Sequence, residues 1–332
     1  MKYIGIIPAR YASTRFPGKP LAMLGGKPVI QRVYEQVKKV LDEAYVATDD
    51  ERIFDAVEAF GGKVVMTSPN HKSGTDRIEE AVQKIGGDYD VVVNIQGDEP
   101  FIQQSQIETV CRCFEDADTQ IATLGKPFTA EQPLSTLENP NSPKLVVDNR
   151  GYALYFSRSI IPFLRGIDRE QWMGKFPFMK HIGLYAYRTE VLHEITQLPQ
   201  SSLELAESLE QLRWLQNGYR IKVGTTEIET VGIDTAEDLE RAEEWLKKKE
   251  EGGRTKESGA IPRKDEGRRR KEKTTEIQAI YTGYNHRRLV LFSFLLRPSS
   301  FLEIKVIKPN EKQNTTKGDG ARGSGAVVPD RE

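Results

Sequence analysis

The sequence predicts an α/β fold built on a mostly parallel sheet, and three observations predict it. Short apolar runs alternate with stretches of helical periodicity, the order that lays strands side by side and covers them with helices. One run, Asp90-Val91-Val92-Val93-Asn94-Ile95, is apolar almost throughout, as in a strand buried on both faces. The residues richest in charge follow directly after the apolar runs, where the carboxyl edge of an open α/β sheet binds ligands.

The first strand is read from Tyr3, Ile4, Ile6 and Ile7, and it leaves through Pro8 into a loop carrying Arg10, Arg15 and Lys19. No carboxylate lies near them in sequence, so they repel one another unless a polyanion sits among them. Pro17 and Gly18 set a turn that swings Lys19 back toward the two arginines. Ala9, Ala12, Ser13 and Gly18 are small enough for backbone N–H groups to approach an anion. The same charges also suit a solvated basic loop. The loop matches neither G-x-x-x-x-G-K-[ST] nor G-x-G-x-x-G.

Pro28 then opens a helix with Val29, Val33, Val37, Val40 and Leu41 at near-helical spacing. Ala44 to Thr48 reads as a strand, Glu51 to Phe60 as a helix stopped by Gly61-Gly62, and Lys63 to Met66 as a third strand. His71 to Arg77 enters another helix, with Ser73 or Thr75 as its cap and Asp76 favouring its first turn. The apolar strand at 90–95 runs into Gln96-Gly97-Asp98-Glu99-Pro100. A carboxylate there is placed as a Mg²⁺ ligand, since that ion takes one or two protein carboxylates and fills its shell with water and phosphate. Asp98 is the candidate, while Glu99 precedes a proline and points elsewhere. A plain Gly-Asp turn is the alternative.

Gln103 to Asp116 is helical in pattern, Ile121 to Lys126 and Lys144 to Val147 are strands, and Gly151 to Ser159 forms another. That last strand carries Arg158, a guanidinium fork suited to an acceptor carboxylate or an ordinary surface arginine. Residues 162–178 suggest a loop over the site or at a subunit contact. In Lys180 to Arg188, alternation places His181, Gly183, Tyr185 and Tyr187 on one face. They fit either a sugar-hydroxyl site or an aromatic face under a helix. Leu203 to Leu215 reads as one amphipathic helix, and Val231 to Leu239 sets Asp234 at a strand end, where it or Thr235 caps a helix.

Charge divides the chain. Residues 251–332 hold 18 Lys and Arg against 11 Asp and Glu, whereas the preceding 250 hold 30 against 38. An acidic body with one basic loop argues for a focused anion site rather than nucleic-acid binding. The composition break places a boundary near Lys249, followed by a basic tail expected to be mostly disordered, with or without a partner, and holding one apolar island, Leu289 to Leu296. The two cysteines, Cys111 and Cys113, are too few for a disulfide framework, and four histidines without clustered spacing argue against zinc. No apolar run reaches bilayer length and no leader pattern opens the chain. The expectation is a cytoplasmic protein with reduced thiols.

Several blocks resemble 3-deoxy-manno-octulosonate cytidylyltransferases (CMP-KDO synthetases). They are Pro8-Ala9-Arg10, Ser13-Thr14-Arg15 and Pro17 to Leu21, then His71 to Arg77, Gln96 to Pro100, Gly151 to Ser159 and Lys180 to Arg188. The resemblance spans residues 1–249. It implies a Rossmann-like, three-layer nucleotide-diphospho-sugar transferase fold of the GT-A kind, with a small antiparallel insertion over about 150–190 for acceptor and dimer contacts. It implies that CMP passes from CTP to 3-deoxy-manno-octulosonate with Mg²⁺ as cofactor, in a homodimer. Nucleotide contacts fall on Pro8, Ala9, Arg10, Arg15, Lys19, Ser73, Gly74, Gln96 and Asp98. Arg10, Arg15 and Lys19 neutralise the triphosphate, with Lys19 favoured for charge developing at the α-phosphate, and Asp98 and Asp234 hold the metal. Arg158, His181, Tyr185, Glu210 and Gln211 face the acceptor, the last two with His181 and Tyr185 separating this family from CMP-sialic acid enzymes. Another sugar nucleotidylyltransferase and a non-catalytic nucleotide sensor acting through the tail are the rival readings.

Overall fold

The structure, a computed structural model, describes residues 1–13, 15–230 and 232–251, with side chains as far as Lys248. These residues belong to a compact unit, Met1–Gly267. The basic tail and the Leu289 to Leu296 island lie outside the described residues.

The chain begins with β1 (Tyr3–Ala9), then β2 (Met23–Leu24) and β3 (Lys27–Pro28), a two-stranded ribbon. Helix α1 (Val29–Val37), β4 (Glu43–Thr48), α2 (Glu51–Ala59), β5 (Val64–Met66), α3 (Gly74–Ile85) and β6 (Val91–Asn94) complete the first half. The second half runs α4 (Gln104–Arg112), β7 (Ile121–Pro127), α5 (Leu134–Glu138), β8 (Lys144–Val147), β9 (Ala153–Ser157) and β10 (Met179–Arg188). It closes with α6 (Thr189–Thr196), α7 (Ser202–Glu207), α8 (Gln211–Gln216), β11 (Ile221–Thr225) and α9 (Ala236–Glu251).

The main sheet has the order β11-β7-β10-β6-β1-β4-β5. Along this path only β10 runs against its neighbours, pairing antiparallel with both β6 and β7. The hairpin β8–β9 hangs from the outer end of β10, with Lys144 and Leu145 opposite Lys180 and Met179. Alternation along β1 shows why the sheet is covered twice. Ile7 and Ala9 join one core with α1, α2 and α4, whereas Ile4 and Ile6 join another with α3, α6 and α8. That is the three-layer arrangement expected, and it sets the ends of β1 and β6 side by side at the sheet centre.

One expectation changes. The single helix over 203–215 is two, α7 and α8, separated by Ser208 in the left-handed region at φ 50°. Hydrogen bonds from elsewhere force the break: Glu207 accepts from the Ser157 hydroxyl and the Arg158 amide, pulling the end of α7 toward β9. Residues 160–178 form a small core of their own, with Trp172 and Phe178 against Leu137. In β10 the register slips between Ile182 and Tyr185 while β7 advances one residue. Two extra residues preserve face parity, so His181 and Tyr185 remain on one side.

Candidate active site

The basic loop is tied down by contacts that begin with Gly18. Its φ of +73° and the Tyr11 ring, 3.1 Å from where a Cβ would sit, both demand glycine there. The Gly18 amide donates to the Tyr11 carbonyl at 2.9 Å. Tyr11 in turn lies 3.3 Å under the Arg52 guanidinium, which pairs with Asp50 at the start of α2.

The loop's cations are not left to repel one another. Lys19 Nζ donates to Asp98 Oδ2 at 2.5 Å and to Asp234 Oδ1 at 3.3 Å, and Arg15 pairs with the same Asp234 oxygen at 3.2 Å. Arg10 donates to the carbonyls of His71 at 2.9 Å and Ser73 at 3.4 Å, so it holds the loop entering α3. The view of unpartnered cations is corrected: their carboxylates lie 79 and 215 residues away from Lys19.

Both acids are placed by backbone. The Ile95 amide donates to Ile6 O at 3.0 Å, and a Cβ on Gly97 would stand 2.7 Å from Pro8 O, so only glycine lets the Asp98 turn lie against β1. The Ile233 amide donates to Asp98 O at 2.8 Å, bringing Asp234 alongside. Thr235 caps α9: its hydroxyl accepts from the Asp238 amide, and the Asp238 carboxylate accepts from the Thr235 and Asp234 amides. The Asp234 side chain is thereby left for the site. Glu99 does turn away, accepting from the Thr230 hydroxyl at 2.8 Å, and burial pushes its carboxyl up to about 7.

A cleft of about 450 Å³ opens over these groups, lined by Pro8, Ala9, Arg10, Arg15, Lys19, Gly74, Gln96, Asp98 and Asp234 among others. Every expected nucleotide residue except Ser73 is on that lining. Ser73 caps α3 in a box with Asp76 and so sets Gly74 at the cleft wall.

None of the expected acceptor residues is on the lining of this cleft. Glu210 connects to its wall, its Oε2 accepting from the Thr75 hydroxyl at 2.8 Å, one residue after Gly74. Burial pushes the Glu210 carboxyl up, against the pull of Thr75 and Arg213. His181 stacks edge-on to Phe156 and lies 5.4 Å, ring to ring, from Tyr185. Burial pushes its imidazole down to about 3, so it is neutral. Gln211 Nε2 and Trp214 Nε1 are buried without partners, and the Tyr185 and Tyr187 hydroxyls are outside good bonding geometry to Thr123 and to Asn94 and Thr75.

Arg158 is already engaged within the protein. Its guanidinium donates to the carbonyls of Glu207 at 2.6 Å, Pro140 at 3.0 Å and Ser208 at 3.1 Å. Those bonds commit it to the α7–α8 turn that presents Glu210, because a positive φ at Ser208 needs holding.

The cytidylyltransferase family model matches residues 4–222. The chain belongs to the cytidylyltransferase family. It is 73% identical over 247 residues to the 3-deoxy-manno-octulosonate cytidylyltransferase of Bacteroides thetaiotaomicron, covering 74% of this chain and 99% of that one. It is 48% identical over 247 residues to the 8-amino-3,8-dideoxy-manno-octulosonate cytidylyltransferase of Shewanella amazonensis, covering 73% and 97%. Among solved structures it resembles CMP:2-keto-3-deoxy-manno-octonic acid synthetase in complex with CTP. There the TM-score is 0.69 at 42% identity, over 75% of this chain and all of that one.

In this cytidylyltransferase the acid pair suits Mg²⁺. Two carboxylates already gather round one cation, and among the described residues no group of three or more His, Cys, Asp or Glu is placed for a metal. A hard ion that keeps water and phosphate in its shell needs no more than that, whereas a structural zinc needs four ligands. Sequence reasoning missed Lys144, fully buried, whose ammonium donates to Asn139 O at 3.1 Å and Arg158 O at 2.6 Å. It also missed Arg213, whose fork grips Glu204 beside Glu210. Neither lies in a motif; both are legible only as charges at otherwise apolar positions. The thiols of Cys111 and Cys113 are free, and burial pushes them up to about 12 and about 11, so they are inert. Among the described residues no helix is long and apolar enough to cross a membrane.

Proposed function

We propose that this cytidylyltransferase transfers CMP from CTP to the anomeric hydroxyl of 3-deoxy-manno-octulosonate, releasing pyrophosphate. One observation carries the reading: Arg10, Arg15, Lys19, Asp98 and Asp234 line a single cleft whose wall is the glycine that opens α3. Cations for a triphosphate and acids for a divalent ion meet where the strands end.

The acceptor hydroxyl oxygen bonds to the α-phosphorus, the bond from that phosphorus to the bridging oxygen breaks so that pyrophosphate leaves, and the hydroxyl proton passes to solvent water. Positioning and charge neutralisation dominate such a transfer. Arg15 and Lys19 neutralise the triphosphate, and Arg10 shapes the loop that holds Ser73 and Gly74 against the cytosine. Glu210 and Gln211, with neutral His181 and Tyr185, bind the acceptor hydroxyls, and Arg158 holds the turn behind them. Mg²⁺ on Asp98 and Asp234, when bound, neutralises phosphate charge and lowers the pKa of the acceptor hydroxyl. On the same resemblance, the product feeds lipopolysaccharide synthesis in the cytoplasm.

We also propose a homodimer. Strand β9 pairs only with β8 among the described strands and exposes Leu154, and Phe163 beyond it is 76% exposed.

An acceptor panel tests the substrate. Pyrophosphate release with CTP should be fastest with 3-deoxy-manno-octulosonate, slower with its 8-amino-8-deoxy analogue, and absent with sialic acid. Preference for either of the other two refutes the assignment.

A further inference from the structure

The two acids given to the metal are already occupied. Lys19 Nζ lies between them, 2.5 Å from Asp98 and 3.3 Å from Asp234, on a side chain only 15% exposed. An ammonium and a divalent ion cannot share these oxygens, because both would sit in direct contact with the same carboxylates and repel at that distance. The same lysine is also the residue expected on the triphosphate. Two of its three donors are on the acids, so turning to phosphate oxygens loosens its hold on them.

We propose that Lys19 is a place-holding cation: it keeps Asp98 and Asp234 together until a triphosphate draws it away, so the metal site forms only with nucleotide. This rests on the reading of those acids as divalent-cation ligands. Charge makes the exchange two-sided. The described residues lining the cleft include three cations, Arg10, Arg15 and Lys19, and two carboxylates, Asp98 and Asp234. Metal alone would have to expel Lys19 into a cleft with no other carboxylate on its wall, beside two arginines. Triphosphate alone would pull Lys19 and Arg15 from the acids and leave those acids unneutralised. When both arrive, the metal neutralises the acids and the cations move to the phosphates.

The lysine is suited to the move. Its four-carbon stem is flexible and its ammonium bonds without directional demands. Its backbone is fixed by the Gly18 turn, where the Leu21 amide donates to Gly18 O at 2.9 Å, so the stem alone carries the charge across. Arg15, 65% exposed and bonded to the same Asp234 oxygen, follows with less to lose. Because coupling is reciprocal, metal must raise nucleotide affinity by the factor by which nucleotide raises that of metal.

The test uses the full chain and Mn²⁺, followed by the loss of its free-ion EPR signal, without acceptor. Wild-type protein should bind Mn²⁺ weakly by itself and at least about tenfold more tightly with CTP present, after allowance for the Mn²⁺–CTP complex. Lys19→Met should bind Mn²⁺ without nucleotide at least about tenfold more tightly than wild type, and adding Asp98→Asn should remove that gain. Lys19→Gln, with a divalent-induced rise in Tm larger than that of wild type, guards against a misfolded methionine variant. Lys19 variants that bind Mn²⁺ no better than wild type overturn the place-holder while leaving the ligand assignment intact. Tight Mn²⁺ binding that Asp98→Asn does not disturb overturns the ligand assignment, and the place-holder with it.

Discussion

Asp98 and Glu99 are neighbours with opposite fates. Asp98 faces Lys19 across the cleft, while Glu99 is folded under it against Thr230 with its carboxyl pushed up to about 7 by burial. A carboxyl that ionises at 4.5 in the unfolded chain and at about 7 in the fold gives a defined pH signature. Between those values the folded state keeps a proton the unfolded state has lost, so this residue's contribution falls as pH rises and levels off above 7. Glu99→Gln keeps the Thr230 bond and removes the ionisation. Its Tm advantage over wild type should grow from pH 5 to pH 8, and parallel Tm curves would refute the burial argument. Gly97 sets a second test at this scale. With Pro8 O only 2.7 Å from a would-be Cβ, Gly97→Ala must push the Asp98 turn off β1. We expect a loss of about 1–3 kcal/mol in stability from overpacking, and a far larger proportional loss in turnover; unchanged turnover would show that the close approach is dispensable.

At the scale of elements, what the sequence made legible were the strands and the loops that follow them. The alternation of apolar runs located β1, β4, β5 and β6 but not the short ribbon β2–β3, and Gln96 to Pro100 placed Asp98 at the end of β6, because both depend on local pattern. What stayed hidden depends on long-range contacts. Nothing near Lys19 in sequence announces Asp234, and the break at Ser208 arises because Glu207 is held by Ser157 and Arg158 from another strand. The amphipathic pattern of 203–215 continues through that break, so periodicity could not reveal it. Strand β11 went unread for a related reason: its burial is one-sided and comes from its pairing with β7. If Arg158 acts by holding the α7–α8 turn, Arg158→Met should raise KM for the acceptor by about tenfold or more while leaving KM for CTP within about twofold. Equal rises in both constants would mean that the arginine has no particular hold on the acceptor side.

At the scale of the molecule, an acidic body gathers three cations in one loop, and the sheet delivers that loop to the two acids able to answer it. Electrostatic focusing of this kind draws a polyanionic nucleotide to the loop. The exposed edge at β9 and Phe163 belongs to the same scale. Phe163→Glu should shift the protein from dimer to monomer in sedimentation at micromolar concentration without lowering its Tm by more than a few degrees. A variant that sediments as wild type would remove this face from the interface.

The central claim is that Asp98 and Asp234 hold a divalent ion for transfer from CTP. The most direct measurement is Mg²⁺-dependent pyrophosphate release from CTP and 3-deoxy-manno-octulosonate, by wild type and by Asp98→Asn. The account predicts turnover by wild type that vanishes with chelator, and roughly a thousandfold loss or more in the variant, as several kcal/mol of lost charge stabilisation implies. Turnover in Asp98→Asn within a few fold of wild type would contradict it.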